Sequence, residues 1–314
     1  MSIFVDGTST ARSAPSARFP REALGFAGAL IELTKPSVTR MVMVSMACGA
    51  LLAPGPIRLL KLCGALLATA LVVGAANALN MVLERHADAA MERTRTRPLP
   101  TGRISPEVAL GFGVLAACVG VTLLAFVANA LTALLAAAAL LIYVLGYTPL
   151  KRVSHLALQV GAVPGAIPPL LGWSSVTGSL TASSFTLFLI LYTWQLPHFL
   201  AIAIFRLRDY ERAGVRVLPA VRGVNAAARS ILFYQVLLLV VSWLPGLVGL
   251  GGRAYLASAT LLGVVFLCFG VFGRRGSESV WARRLFVASL VYLVGLLGSL
   301  VLCWYWFRGL PSLV

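Results

Sequence analysis

The chain has 314 residues, of which 59% are hydrophobic and 11% are charged, and its mean hydropathy is +0.91. A soluble domain carries about 25% charged residues, so this composition excludes an ordinary soluble protein, a disordered chain and a small disulfide scaffold. It predicts an all-α integral membrane protein, because continuous apolar runs do not fit the alternating pattern of a transmembrane β-barrel. The net charge of +16 is compatible with nucleic acid, with anionic lipid or with the loop bias of membrane proteins.

Residues 1–30 are rich in Ser, Ala and Arg, and we expect them to form a disordered cytoplasmic tail. They lack an apolar segment followed by a cleavage site, so they do not predict a secretory signal. Asp6 argues against a mitochondrial transit peptide. Residues 31–314 are expected to form one membrane domain.

Stretches without Asp, Glu, Lys or Arg divide this domain into crossings. They are residues 41–57, 62–83, 108–150, 156–205, 230–252, 254–273 and 285–307. A crossing takes about 20 residues of helix, so the two longest stretches can each supply two. Polar breaks at Ala128 and Asn129, and at residues 174–184, fall near their middles. The sequence therefore predicts about nine transmembrane helices.

Sorting the 26 basic residues over nine crossings leaves four on the side opposite the N-terminus: Arg58, Lys61, Arg253 and Arg308. Loops rich in Lys and Arg stay in the cytoplasm, so we expect a cytoplasmic N-terminus and a periplasmic C-terminus. This topology explains the basic charge without a nucleic-acid partner.

Asn80, Glu84 and Asp88 are spaced i, i+4 and i+8 and therefore share one helix face, within a sector of about 80°. Oxygen ligands at a membrane boundary suit Mg²⁺, which takes one or two carboxylates and completes its shell with phosphate oxygens. Arg93 and Arg97 repeat the i, i+4 spacing, and guanidinium groups suit phosphate. The alternative is a solvated helix end held by salt bridges.

A second acidic segment contains Asp209 and Glu211, but Ala213 stands where a partner four residues on would be expected. Upstream, His198 follows Pro197 inside an apolar stretch. This histidine could satisfy a proline kink, act as a general base, bind a cofactor or orient a substrate.

Two further segments are expected to contribute to a site. Lys151 and Arg152 add cations to the same side of the membrane. The proline-rich stretch 161–169 predicts either a broken helix lining a cavity or close helix packing through small residues.

These motifs resemble those of the UbiA superfamily of intramembrane prenyltransferases, in particular its haem-modifying branch. The resemblance covers residues 33–314, and it is carried by NMVLERHADAAMERTRTRPLPTGRISP from Asn80, YTPLKR from Tyr147, GAVPGAIPPLLGWSSVTG from Gly161 and WQLPHFLAIAIFRLRDYERAGVRVLP from Trp194. It implies a helical bundle around an intramembrane cavity. It also implies Mg²⁺-dependent transfer of a farnesyl group from farnesyl diphosphate to a vinyl group of haem b, with addition of water.

The resemblance also assigns roles to residues. Asn80, Glu84, Asp88 and Asp209 would be catalytic and hold metal, and His198 would be catalytic. The residues expected to bind diphosphate are Arg93, Arg97, Lys151 and Arg152. Two positions depart from the family pattern: His86 stands where bacterial relatives often have Asp, and Asp209 lacks its partner.

The implied location is a bacterial inner membrane, with the mitochondrial inner membrane as the alternative, and membrane lipid, haem A synthase or oxidase assembly factors as partners. Two other functions stay open. One is prenylation of another aromatic acceptor, and the other is transport of haem or an anionic lipid. The scarcity of charge on the far side favours chemistry at one face over transport.

Overall fold

The computed structural model describes residues 19–273 and 277–308, and in these ranges it contains helices and no strand. The first half comprises α1 (Phe19–Leu33), α2 (Pro36–Leu52), α3 (Leu59–Ala90), α4 (Pro106–Val127), α5 (Ala130–Leu141), α6 (Thr148–Leu150), α7 (Ala157–Ala166) and α8 (Pro168–Thr177). The second half comprises α9 (Ala182–Phe205), α10 (Leu207–Arg212), α11 (Leu218–Arg222), α12 (Val224–Val241), α13 (Leu244–Leu247), α14 (Gly252–Phe272) and α15 (Glu278–Arg308). A π-helical segment, Ile142–Tyr147, joins α5 to α6.

Seven helical segments of the described chain are long and apolar enough to cross a membrane. They are Leu59–Ala90, Pro106–Val127, Ala130–Leu150, Ala182–Phe205, Val224–Leu247, Gly252–Phe272 and Glu278–Trp306. The other two predicted crossings fall on α2, which has 17 residues, and on the interrupted pair α7 and α8. The all-helical membrane fold is confirmed, while the count of nine is approximate.

The predicted breaks inside the two long apolar stretches are present. Asn129 caps α5 by accepting a hydrogen bond from the Thr132 amide, and Thr181 forms a capping box with Ser184 at the start of α9. Gly178 ends α8 in the left-handed conformation, with φ 69°, which glycine adopts without steric cost. Local capping therefore sets both reversals of the chain direction.

The expected disordered tail at the N-terminus does not extend to residue 30. Residues 19–30, expected to be disordered, belong to α1, and residues 1–18 lie outside the described part of the chain. Ala29 and Leu33 are buried and belong to a cluster with Ala78 and Met81 of α3. The apolar face of α1 thus packs on the bundle, so the predicted domain boundary at residue 31 falls within a helix.

Both interpretations of the proline-rich stretch hold. Pro164 lies inside α7, and the chain is interrupted at Ile167 before α8 begins at Pro168. Gly172 of α8 lies directly against the backbone of α2, where an added Cβ would collide with the Met46 carbonyl oxygen. The broken helix therefore also packs closely through a small residue.

The cavity lies between the helices at their centre and has a volume of about 540 Å³. Side chains of α2, α3, α5, α7, α8, α9 and α15 line it. The volume lies in the range of about 300–1,000 Å³ that is usual for ligand sites. The expected intramembrane cavity is therefore present, and α3 lines it through middle turns, between Thr69 and Asn77.

Candidate active site

The polar face predicted on α3 is formed. The helix continues to Ala90, and Asn80 and Asp88 are each only 1% exposed, while Glu84 is half-buried. Such burial of polar side chains at a membrane boundary requires partners. The structure supplies them from three other parts of the chain.

Asn80 connects two of these parts. Its side-chain oxygen accepts a hydrogen bond from Lys35 Nζ at 3.2 Å, and its Nδ2 donates to Thr148 Oγ1 at 2.9 Å. Thr148 Oγ1 in turn donates to the Tyr143 carbonyl oxygen at 2.8 Å. Asn80 therefore joins the start of α2 to the turn after the π-helical segment.

Asp88 is paired with Arg97, whose Nη1 lies 2.7 Å from Asp88 Oδ2. The helix ends two residues after Asp88, so Arg97 reaches this carboxylate from a loop of turns, and Thr94 Oγ1 donates to the Asp88 carbonyl oxygen at 2.8 Å. The i, i+4 spacing of Arg93 and Arg97 consequently does not place them on one helix face. Arg97 is brought to the site by chain reversal, whereas Arg93 is exposed.

Glu84 is paired with Lys151, whose Nζ lies 2.8 Å from Glu84 Oε1. The same ammonium group lies over the Tyr147 ring, 4.2 Å from its centroid. Burial by itself would lower the pKa of Lys151, but Tyr147, Glu84 and Tyr143 together raise it above its ordinary value. Lys151 is therefore a fixed positive charge.

Lys35 was missed as a site residue. It precedes α2 in the left-handed conformation, with φ 48°, which is uncommon for a residue other than glycine, and it lines the cavity. Burial, with the charges of Arg97 and Lys151, lowers the pKa of Lys35 to about 7. The sequence offers one indication, Pro36, which predicts that a helix starts there. It does not predict that the Lys35 side chain reaches the cavity.

We refer to Lys35, Asn80, Glu84, Asp88, Arg97 and Lys151 as the polar cluster. It contains three basic residues and two carboxylates; Lys35 and Lys151 reach α3 from distant parts of the chain, and Arg97 reaches it from the turns that follow the helix. Arg152, like Arg93, is exposed, and neither forms an ion pair with another described residue. Of the four arginines and lysines predicted to bind diphosphate, the structure thus brings Arg97 and Lys151 into the cluster.

Asp209 is not joined to the polar cluster. Its carboxylate lies 3.6 Å from Arg206, within the same short segment, and no hydrogen bond or ion pair links it to α3 among the described residues. Burial raises the pKa of the adjacent Tyr210 above its ordinary value.

The carboxylates expected to bind Mg²⁺ lie in two separate parts of this arrangement, Glu84 and Asp88 on α3 and Asp209 on α10. Among the described residues, no group of three or more His, Cys, Asp or Glu could hold a metal ion, so Asp209 does not complete a site with Glu84 and Asp88. The second oxygen of each of those two carboxylates has no hydrogen-bond partner in the described chain. One or two carboxylates with substrate phosphate oxygens are what Mg²⁺ requires, so the residues fit a metal that binds together with a diphosphate.

One wall of the cavity is apolar and aromatic. His198 is 7% exposed, stacks on Trp194 with ring centroids 4.7 Å apart, and contacts Phe286 at the same centroid distance. Leu290 and Leu293 of α15 extend this wall. The cavity thus extends from Lys35 of the polar cluster to a wall suited to a large apolar ring or chain.

Known proteins are similar to this chain in sequence. Residues 41–293 match the UbiA prenyltransferase family. A protoheme IX farnesyltransferase of Myxococcus xanthus is 48% identical over 274 residues, which cover 87% of this chain and 93% of that protein. The protein of the same name from Anaeromyxobacter dehalogenans is 46% identical, covering 94% of this chain and 98% of its own.

Solved structures show the same fold. A structure from work on digeranylgeranylglyceryl phosphate synthase has a TM-score of 0.75 at 18% identity, covering 88% of this chain and 98% of its own. A UbiA homologue from Archaeoglobus fulgidus, bound to DMAPP and Mg²⁺, has a TM-score of 0.61 at 14% identity, covering 86% and 98%. The chain therefore belongs to the UbiA prenyltransferase family.

Proposed function

We propose that the protein transfers a farnesyl group from farnesyl diphosphate to a vinyl group of haem b, with addition of water, giving haem O and diphosphate. The observation that carries this proposal is the polar cluster, in which three basic residues are held beside two carboxylates and which borders a largely apolar cavity through Lys35. The choice of haem as acceptor is supported by the relatives named protoheme IX farnesyltransferase.

The first step breaks the allylic carbon–oxygen bond, and both bonding electrons leave with the diphosphate. Arg97 and Lys151, with Lys35 in its protonated form, hold positive charge where negative charge increases, so they favour the charge-separated state without reorganisation. When bound, Mg²⁺ supplies a Lewis acid for the diphosphate oxygens, and Asn80, Glu84 and Asp88 are the residues that would hold it. Each carboxylate also orients one of the cations.

The second step joins the two substrates. The terminal vinyl carbon attacks the allylic cation, and the positive charge moves to the carbon beside the porphyrin ring. Water adds there and loses a proton, which yields the hydroxyl group of haem O. The apolar wall of Trp194, Leu290 and Leu293 excludes bulk water, so the allylic cation meets the vinyl group before it meets solvent.

We further propose that the enzyme lies in the bacterial inner membrane with the polar cluster at the cytoplasmic face and the C-terminus in the periplasm. The concentration of basic residues at one side of the apolar helices supports this orientation. Haem A synthase or oxidase assembly factors would then receive the product. Reporter fusions in the loops after α2 and after α3 should give periplasmic and cytoplasmic signals respectively, and the reverse pattern would contradict the orientation.

The test of the reaction uses purified protein with farnesyl diphosphate, Mg²⁺ and either haem b or 4-hydroxybenzoate. We expect farnesylated, hydroxylated haem from the first mixture and no prenylated benzoate from the second. Product only from 4-hydroxybenzoate would assign another aromatic acceptor. Movement of haem across vesicles without a covalent product would instead identify a transporter.

A further inference from the structure

The His198 imidazole is held on three sides in the apolar wall of the cavity. Trp194 stacks on it with an interplanar angle of 27°, Phe286 packs against it at 32°, and Phe199 meets it edge-on. Its Nδ1 lies 2.7 Å from Ser289 Oγ of α15. These contacts allow the ring little freedom to rotate.

The proton on this hydrogen bond can be assigned by counting donors. Ser289 has one hydroxyl proton, and its Oγ lies 2.6 Å from the Phe286 carbonyl oxygen, an atom that can only accept. The hydroxyl proton must therefore lie on that contact, since two oxygens this close without a proton between them would repel. Ser289 Oγ is left as the acceptor, so His198 Nδ1 carries a proton and donates it.

The other ring nitrogen then has an unshared electron pair. Nε2 forms no hydrogen bond with any described residue, and His198 lines the cavity. A neutral histidine that donates through one nitrogen to a protein acceptor and presents the other to a site is the arrangement of metal-ligating histidines.

The surroundings favour a metal ligand over a proton acceptor. The partner of Nδ1 is a neutral hydroxyl group, and no carboxylate among the described residues contacts the ring. An imidazolium here would be an uncompensated charge between Trp194 and Phe286. The ring is therefore suited to remaining neutral.

Ser289 organises this wall through two atoms. Besides accepting from His198, it accepts a hydrogen bond from Trp194 Nε1 at its carbonyl oxygen, at 2.7 Å. Trp194 and His198 lie one turn apart on α9, so one residue of α15 fixes both rings of the stack. Ser289 itself is 1% exposed and therefore lies away from solvent.

We propose that His198 Nε2 is an axial ligand of the iron of the haem substrate, and that Ser289 is the positioning residue that fixes the tautomer required for this. The inference rests on the proposed function. It places the porphyrin against α9 and α15 while the diphosphate is held on α3, so the two substrates occupy different walls of one cavity.

The experiment is a titration of purified full-length protein with haem b, followed by absorption and resonance Raman spectroscopy, with haem O formation measured on the same samples. We expect a histidine-ligated haem spectrum in the unaltered protein. It should be lost in His198→Gly and restored by added imidazole. His86→Ala and His155→Ala, which alter the other two histidines of the chain, should retain it.

Ser289→Ala keeps His198 in place and tests the positioning role without removing the ligand. We expect haem affinity to fall about 10- to 100-fold and the iron–histidine stretching frequency to shift. Ser289→Thr, which keeps the hydroxyl group, should restore both. Unchanged affinity and frequency in Ser289→Ala would remove Ser289 from this role.

The outcomes separate the two proposals. If His198→Gly leaves the spectrum unchanged while the unaltered protein makes haem O, the ligand assignment is wrong and the proposed function stands. If the histidine-ligated spectrum is present and lost in His198→Gly, but no haem O forms, the ligand assignment stands and the proposed function is wrong. Absence of a histidine-ligated spectrum from the unaltered protein would overturn the ligand assignment.

Discussion

Replacing Arg97 by Gln tests whether the pair with Asp88 serves both folding and catalysis. The Asp88 side chain is 2% exposed and that of Arg97 is 18% exposed, so removal of the guanidinium leaves a carboxylate buried without its charge partner. Breaking such a pair costs about 3–5 kcal/mol of stability. Loss of a charge placed at the leaving group should in addition reduce kcat about 100- to 1,000-fold.

The double variant Asp88→Asn with Arg97→Gln separates these effects. With both charges removed, most of the lost stability should return, because no unpaired charge remains. Activity should not return, since both the metal ligand and the cation are gone. The free energy of unfolding can be measured by denaturant titration in mixed micelles, and kcat by haem O formation.

Arg95→Gln is the matched control, because Arg95 lies in the same loop and is exposed. It should change the free energy of unfolding by no more than about 0.5 kcal/mol, and it should leave kcat nearly unchanged. The reasoning is refuted if Arg97→Gln is as stable as the unaltered protein, or if the double variant recovers activity.

Three further outcomes follow from the structure. Because the pKa of Lys35 is lowered to about 7, its ammonium group loses a proton as the pH rises through that value, so KM for farnesyl diphosphate should rise above about pH 7. Lys35→Arg should abolish this rise, and an identical pH profile would contradict the role of Lys35. Lys151→Met should lower kcat/KM for farnesyl diphosphate at least tenfold with an unchanged Kd for haem b, whereas equal losses for both substrates would indicate a general disruption. Gly172→Ala should destabilise the protein by about 1–3 kcal/mol, because the added Cβ meets the α2 backbone. Gly111→Ala, with open space around its Cβ, should not lower the melting temperature, and equal shifts would contradict the packing argument.

The sequence predicts the helical membrane fold and one wall of the site because both depend on local periodicity. Asn80, Glu84 and Asp88 share a face for the reason that a helix repeats every 3.6 residues, and α3 extends far enough to include all three. The i, i+4 spacing of Arg93 and Arg97 does not correspond to a shared helix face, since α3 ends at Ala90 and the following turns direct only Arg97 back to Asp88.

Contacts between distant segments could not be predicted in this way. Lys35 reaches Asn80 across 45 residues because of a single left-handed residue between α1 and α2, and no periodic pattern records that turn. The role of His198 likewise depends on Ser289, which lies 91 residues away on α15. The polar residues of α3 and His198 were thus recognisable from the sequence, whereas Lys35 and the partners of these residues depend on how the helices pack.

The most direct test of the proposed reaction is the mass spectrum of haem recovered after purified protein is incubated with haem b, farnesyl diphosphate and Mg²⁺. The unaltered protein should yield haem increased by one farnesyl group and one hydroxyl group, and folded Asp88→Ala should yield unaltered haem b. Recovery of unaltered haem b from the unaltered protein, or equal product from both proteins, would contradict farnesyl transfer at the polar cluster.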